Sequence, residues 1–313
     1  MRILVTGSSG FIGKKTVDRL AAVPSFQITA VSRSKHSFFQ ENVCSLDKGE
    51  LLADAYWDEI LSGVEVVIHL AARVHVMHDK KIDSLTAFRA VNLYGTMNLA
   101  RQAAAAGVKR FVFISSVKVN GDSSLRERPF TEVDSPNPQD AYGLSKYDAE
   151  QGLCKLSADT GMEVVIIRPP LVYGPGVKAN FATLIYAVQR GWPLPLGVAH
   201  NQRSLVALDN LVDFIVTCIT QPQAANQTFF VSDGQDLSTT ELVRGLAQAA
   251  GVPARLLPIP VWALLAGSSL LGKDDLVKRL CGNLQVDISK AQSLLGWVPP
   301  VSLEEGLSRA MAV

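Results

Sequence analysis

Cysteine is scarce in this 313-residue chain: Cys44, Cys154, Cys218 and Cys281 are scattered, and no spacing among them suits a metal site. A chain this long has no need of disulfide staples, so reduced thiols in a cytoplasmic setting are expected. Net charge is scarce too. Thirty basic residues against twenty-nine acidic ones leave +1, which gives no electrostatic ground for nucleic acid or an anionic membrane as partner. Any anionic ligand must be held by local groups. No apolar run approaches a bilayer span; Val261 to Leu271, VWALLAGSSLL, is too short and reads as helix packing. Met1 leads directly into a strand-like segment with no basic-then-apolar leader, and no repeat or low-complexity tract interrupts the chain. A soluble, cytoplasmic protein without a membrane span or a nucleic-acid partner is expected.

What is plentiful is apolar sequence. At 48% hydrophobic and 19% charged residues the chain can bury a sizeable core, and its length calls for one large domain with an appended lobe, or for two domains. Arg2 to Thr6, RILVT, suits a buried parallel strand. Gly7, Gly10 and Gly13 follow in GSSGFIG, and the helical pattern KKTVDRLAAV comes straight after. Glycines between a strand and a helix let backbone amides and the positive end of the helix dipole hold a pyrophosphate. Gly7, Gly10, Phe11, Ile12 and Gly13 are therefore candidates for a dinucleotide site. A second strand, Gln27 to Ser32, ends at Arg33, Ser34, Lys35 and His36. An acidic residue there would bind ribose hydroxyls, whereas a guanidinium matches a 2′-phosphate, so NADP(H) is favoured and NAD(H) is the alternative. A solvated basic turn is the plain reading of the same residues.

Val64 to Leu70 is a third buried strand, and Ala71 and Ala72 after it are small enough for a backbone to pass under a cofactor. His69, His75 and His78 lie close together, but their spacings match no helical ligand pair and no metal is expected. Leu85 to Ala106 reads as one helix carrying Asn92, and Arg110 to Ser115 as a strand that delivers Ser116 to its carboxyl edge, where ligands bind in open α/β sheets. After Pro136 and Pro138 a helix runs from Tyr142 to about Thr160. It opens with YGLSK, which puts Tyr142 and Lys146 on one face. A cation beside a phenol lowers its pKa from roughly 10, and the pair then suits acid–base work on an alcohol or ketone. Out of context it would be a solvated surface pair. The strand Glu163 to Arg168 ends in PPLVYGPG, which divides a dinucleotide-binding domain, 1–168, from a second lobe, 169–313; a later strand near 228–232 can rejoin the first.

These motifs, in this order, resemble the extended short-chain dehydrogenase/reductase family of the epimerase/dehydratase type. GSSGFIG resembles its GxxGxxG, and SSVKVNG its serine or threonine segment, with Asn120 where a tyrosine is usual. RPPLVYGP resembles RPxxVYGP, RSLVALDNLVD resembles RSxxxVxD, and SKAQSLLGWVPPVSLEEGL the usual carboxyl-terminal sequence. The resemblance implies an α/β, Rossmann-type doubly wound parallel sheet with a smaller carboxyl-terminal substrate-binding lobe. It implies Ser116, Tyr142 and Lys146 as catalytic, with Tyr142 and Lys146 also touching the cofactor. It places Glu50 and Leu51 beside adenine, Leu70, Ala71 and Ala72 under the cofactor, Asn92 where it holds the active-site helix, and Pro169 near the nicotinamide. Asn180 and Arg203 are implied on a nucleotide sugar's pyrophosphate, with Arg279 a further phosphate candidate.

Dehydratases of the family follow the serine or threonine with an Asp-Glu pair. Val117 and Lys118 stand there, which argues against elimination. By the same analogy a homodimer through the helices carrying Tyr142 and Asn92 is expected. The favoured activity is reduction of a UDP-4-keto-6-deoxy-N-acetylhexosamine in surface-polysaccharide synthesis, with a UDP-glucose or UDP-N-acetylglucosamine 4-epimerase as the alternative. A non-catalytic NADP(H) redox sensor is disfavoured, because all three catalytic residues are present.

Overall fold

The computed structural model describes residues 1–33, 38, 40–74, 84–270 and 274–312. Its strands are β1 (Arg2–Thr6), β2 (Gln27–Ser32), β3 (Val43–Asp47), β4 (Val66–His69), β5 (Arg110–Ile114), β6 (Glu163–Arg168), β7 (Leu171–Tyr173), β8 (Leu205–Ala207) and β9 (Thr228–Phe230). Seven of them form one parallel sheet in the order β3-β2-β1-β4-β5-β6-β9, while β7 and β8 pair separately. The chain leaves β1 toward β2 and β3, then returns to place β4 on the other side of β1. A crevice opens where the order reverses, at the carboxyl ends of β1 and β4.

Successive strand residues point to opposite faces, and helices cover both. On one face Ile3, Val5, Val112 and Ile114 meet Val17 and Leu20 of the helix Phe11–Ala21 and Phe214 and Ile215 of the helix Leu208–Thr220. On the other, Leu4, Phe111 and Phe113 meet Leu99 and Ala103 of the helix Thr96–Ala105 and Ala149 and Leu153 of the helix Ala141–Thr160. Two covered faces explain why the strands read as unbroken apolar runs. A third core, with Tyr173, Phe181, Leu242, Leu246 and Leu307, builds the smaller lobe.

The chain does leave the sheet after Arg168, but it comes back. β9 pairs with β6, and Trp297 packs edge-on to Phe214 at 4.8 Å between ring centroids, so segments far beyond residue 168 complete the large sheet's core. The helix expected over Leu85 to Ala106 is interrupted: Ser84–Arg89 and Thr96–Ala105 flank a π-helical turn, Ala90–Gly95. The extra residue in that turn re-aims side chains. Asn92 faces inward, and a Cβ on Gly95 would lie 2.2 Å from the Leu51 carbonyl oxygen. Among the described residues no helix is long and apolar enough to cross a membrane.

Phe214 is fully buried between Phe229, at 5.6 Å, and Trp297. Phe214→Ala is expected to cost about 3–5 kcal/mol, measured by urea unfolding; a loss below about 1 kcal/mol, the scale of a surface change, would show that this side chain does not hold the lobe's segments to the sheet.

Candidate active site

The crevice between β1 and β4 is shaped by glycine. Gly7 adopts φ +71°, and a Cβ there would be 2.7 Å from Ala71 N. A Cβ on Gly13 would be 2.1 Å from the Gly7 carbonyl oxygen, so any larger residue pushes the first helix off the loop. Gly10 is the N-cap of that helix, with no side-chain cap and no acidic residue in the first turn, which leaves its amides for an anion. Gly7, Gly10, Leu70, Ala71 and Ala72 line one cavity of about 150 Å³, and Arg33, Glu50 and Leu51 line its far wall. Leu51 is buried and fixed by the close approach of Gly95. Ser34, Lys35, His36, His75 and His78 lie outside the described residues.

Four further residues named for the cofactor site make these contacts within the protein. Phe11 lines a neighbouring groove with Lys14, and Ile12 packs on the sheet's core. Asn92 is fully buried. Its Oδ1 accepts from Arg73 N at 2.8 Å, and its Nδ2 donates to Arg73 O and Ser145 Oγ, tying the β4 loop to the active-site helix. Pro169 presents its carbonyl to Val117 N at 3.0 Å and so fixes the turn after Ser116.

The helix Ala141–Thr160 starts where the Asp140 side chain accepts from Gly143 N at 2.7 Å, and ends at Gly161 in the left-handed region. A Cβ on Gly143 would be 2.7 Å from the Lys118 carbonyl, so the helix's first turn lies directly on the turn after β5. This contact brings Ser116 to Tyr142, whose phenol hydrogen-bonds the serine hydroxyl. One turn on, buried Lys146 donates to the Ile114 carbonyl at 2.7 Å, and its Nζ stands 4.4 Å from the Phe113 ring centroid. Beneath Phe113 lies His69, stacked at 5.9 Å, with Thr6 Oγ1 and Thr96 Oγ1 on its two ring nitrogens at 2.7 and 2.9 Å. Burial, with Lys146 adding to it, pushes His69 down to about 3, so the ring is neutral.

The expected depression of the tyrosine by the lysine is not what the protein groups produce. Burial, and then the Asp140 carboxylate, push Tyr142 up to about 12, against the lowering effect of the Ser116 hydrogen bond. Burial brings Lys146 down to about 7, despite nearby Glu150. The amine is aimed at a backbone carbonyl and is only partly charged at neutral pH, so it has little to offer the phenol. The protonated phenol is the resting form.

Glu150 and Arg168, both buried, make a bidentate pair at 3.0 and 2.5 Å, and Arg168 also donates to Asn120 Oδ1 at 2.9 Å. Asn120 thus exchanges the usual tyrosine for a partner to the arginine. Sequence reasoning missed this network and Gly95. Eighteen residues separate the two charges on different elements, and a helical glycine gives no sign of what it touches.

Ser116 also opens into a second cavity, of about 330 Å³, between the large sheet and the smaller lobe. Asn180, Arg203 and Arg279 line it, so all four residues expected at the substrate are brought together. Arg203 is positioned by donating to the carbonyls of Arg279 and Gly282 at 2.7 and 3.1 Å. Much of the remaining wall is leucine, including Leu171, Leu184, Leu205 and Leu237.

Lys146 supplies a test. Its folded pKa of about 7 lies below its ordinary 10.5, so across that window the unfolded chain holds a proton that the folded chain has released, and stability rises with pH. Denaturant unfolding of the unmodified protein and of Lys146→Met, each at pH 7 and pH 9, is expected to show the unmodified protein gaining relative to the variant at the higher pH. Parallel behaviour would mean that the amine is not desolvated.

The NAD dependent epimerase/dehydratase family model matches residues 3–231. A UDP-glucose 4-epimerase of Vibrio cholerae is 50% identical over 98% of this chain and 93% of its own length. MoeE5 in complex with UDP-glucose and NAD is 25% identical, with a TM-score of 0.78 over 100% of this chain and 98% of that one. The UDP-glucose 4-epimerase of Thermotoga maritima, solved with UDP-glucose, shares the fold at a TM-score of 0.78 and 24% identity, over 100% of this chain and 98% of that one. With Ser116, Tyr142 and Lys146 assembled beyond a glycine-lined crevice, the chain belongs to the NAD dependent epimerase/dehydratase family, enzymes of the extended short-chain dehydrogenase/reductase type.

Proposed function

We propose that this protein is a UDP-hexose 4-epimerase. The observation that carries the proposal is that Ser116, hydrogen-bonded to Tyr142, opens into the same cavity as Asn180, Arg203 and Arg279. The serine beside the proton carrier thus shares one chamber with an anion site. A guanidinium suits a pyrophosphate, and Val117 and Lys118 provide no acid–base pair for elimination. The 50% identical relative supports epimerase over the 4-ketoreductase favoured from the sequence alone.

A nicotinamide dinucleotide fits the crevice: Gly7 and Gly13 keep it open, and the uncapped helix start offers amides to the pyrophosphate. Held by that glycine loop, such a dinucleotide would supply the acceptor and donor of a hydride for the sugar carbon. Only in its ionised form, which the Ser116 hydrogen bond favours, does Tyr142 take the C4 hydroxyl proton, to give it back after the ring has turned, while Ser116 holds the oxygen. Lys146 keeps the catalytic helix seated on Ile114 and Phe113. The leucine wall binds the sugar by contact rather than by a hydrogen-bond pattern for one ring face, which lets either face meet the same tyrosine.

Tyr142→Phe removes only the proton path. Conversion of UDP-glucose to UDP-galactose, followed by a coupled assay, should fall roughly 10²–10⁴-fold, the usual contribution of a positioned acid–base group. NAD binding by calorimetry should stay within about twofold; retention of most turnover would remove Tyr142 from the chemistry. Net NADPH consumption with a 4-keto-sugar, and no epimer formation, would restore the ketoreductase.

The epimerase cycle returns its hydride, so it needs no reduced NADPH pool, and NAD(H) is the cofactor we propose. MoeE5, bound to NAD, supports this. Arg33 supports NADP(H) instead, because it lines the cavity's far wall. Arg33→Ala should weaken NADP binding roughly tenfold and leave NAD binding nearly unchanged; equal losses for both would show that Arg33 does not read a 2′-phosphate.

A further inference from the structure

A single turn carries the chain from the serine to a charged cluster in the cavity wall. Ser116 Oγ accepts from Lys118 N at 3.2 Å, capping the 3₁₀ turn Val117–Val119, and the Lys118 carbonyl is clamped against Gly143. From this fixed backbone the Lys118 ammonium pairs with Asp122 and, at 3.2 Å, with Asp140 Oδ2. Lys118 and Asp122 line the same cavity as Ser116, and Asp140 stands two residues before Tyr142. One cation and two anions give the cluster a net charge of −1, beside the serine and tyrosine that hold the reacting oxygen. The cations Arg203 and Arg279 reach the cavity from the smaller lobe instead.

We infer that Lys118, Asp122 and Asp140 form a charge filter that admits a neutral hexose and rejects a hexuronate. The inference rests on the epimerase proposal. With the reacting carbon held at Ser116 and Tyr142, neighbouring substituents of the ring face the turn that carries Lys118. A hydroxymethyl group can donate to Asp122 and accept from the ammonium, because a hydroxyl is both donor and acceptor. A carboxylate cannot donate, and it meets the like charge of Asp122 on the cavity wall, with Asp140 paired to Lys118 behind it. A lone lysine would attract a uronate, and here the two aspartates outweigh it. An ordinary solvated ion pair is the competing account, since the Lys118 and Asp122 side chains are 24% and 43% exposed.

The test compares UDP-glucose with UDP-glucuronate, by kcat/KM and by calorimetric affinity, in the unmodified protein, Asp122→Asn and Lys118→Met. The unmodified protein should favour UDP-glucose by roughly a hundredfold, Asp122→Asn should shrink that ratio about tenfold, and Lys118→Met should widen it by a similar factor. Affinity for UDP alone should hold within about twofold in both variants, because the inference assigns the cluster to the sugar and the pyrophosphate to Arg203 and Arg279. A merely structural role would move all three ligands together. Equal use of the two sugars by the unmodified protein, or variants that shift the ratio in the same direction or not at all, would overturn the filter. Turnover of neither sugar would count against the epimerase proposal, while the affinities would still decide the filter.

Discussion

The buried pair between Arg168 and Glu150 is the constraint on which the rest of the active site depends. Two charges removed from water are tolerated only when well paired and hydrogen-bonded. The guanidinium meets this demand with two bonds to Glu150 and a third to Asn120. Those three residues belong to the end of β6, the catalytic helix and the turn after Ser116. Their mutual satisfaction fixes where the helix lies against the sheet edge, and so where Tyr142 stands relative to the serine. Asn92, bonding Ser145 and Arg73, repeats the arrangement on the cofactor side.

The electrostatic result is a tyrosine held protonated and a lysine held near neutrality, both through burial. Burial is also what makes the site usable. A phenol with few competing water partners can exchange its proton with an oxygen placed beside it, and Ser116 is the protein group that eases its ionisation. Asp140 works the other way, raising the phenol while it caps the helix and holds Lys118. A single carboxylate thereby links the helix start, the Tyr142 phenol and the Lys118 ammonium.

The two cavities meet different needs. The crevice at β1 and β4 depends on the absence of side chains, since a Cβ on Gly7 would strike Ala71 and one on Gly13 would push the first helix off the loop. The cavity under the smaller lobe is made by side chains, with leucines forming the wall and a few cations placed among them. The chain builds the second from segments that leave the sheet after Arg168, and pins them through β9, Phe214 and Trp297.

Local chemistry made much of this legible in the sequence. Unbroken apolar runs announced strands covered on both faces, glycines between a strand and a helix announced the crevice, and Tyr142 and Lys146 four apart announced a shared helix face. Each signal acts over a few residues, as backbone propensity and side-chain period do. That residues 228–232 form a strand was legible in their apolar composition, while its pairing with β6 was one option among others. Only the tertiary structure decided the rest. The π-helical turn at Asn92 ends at Gly95, where the helix touches Leu51; the Arg168–Glu150–Asn120 network spans three elements; and Lys146 donates to the Ile114 carbonyl. These depend on contacts between residues far apart in the chain, and on burial, which sets the cost of a charge and is decided only when the elements pack together.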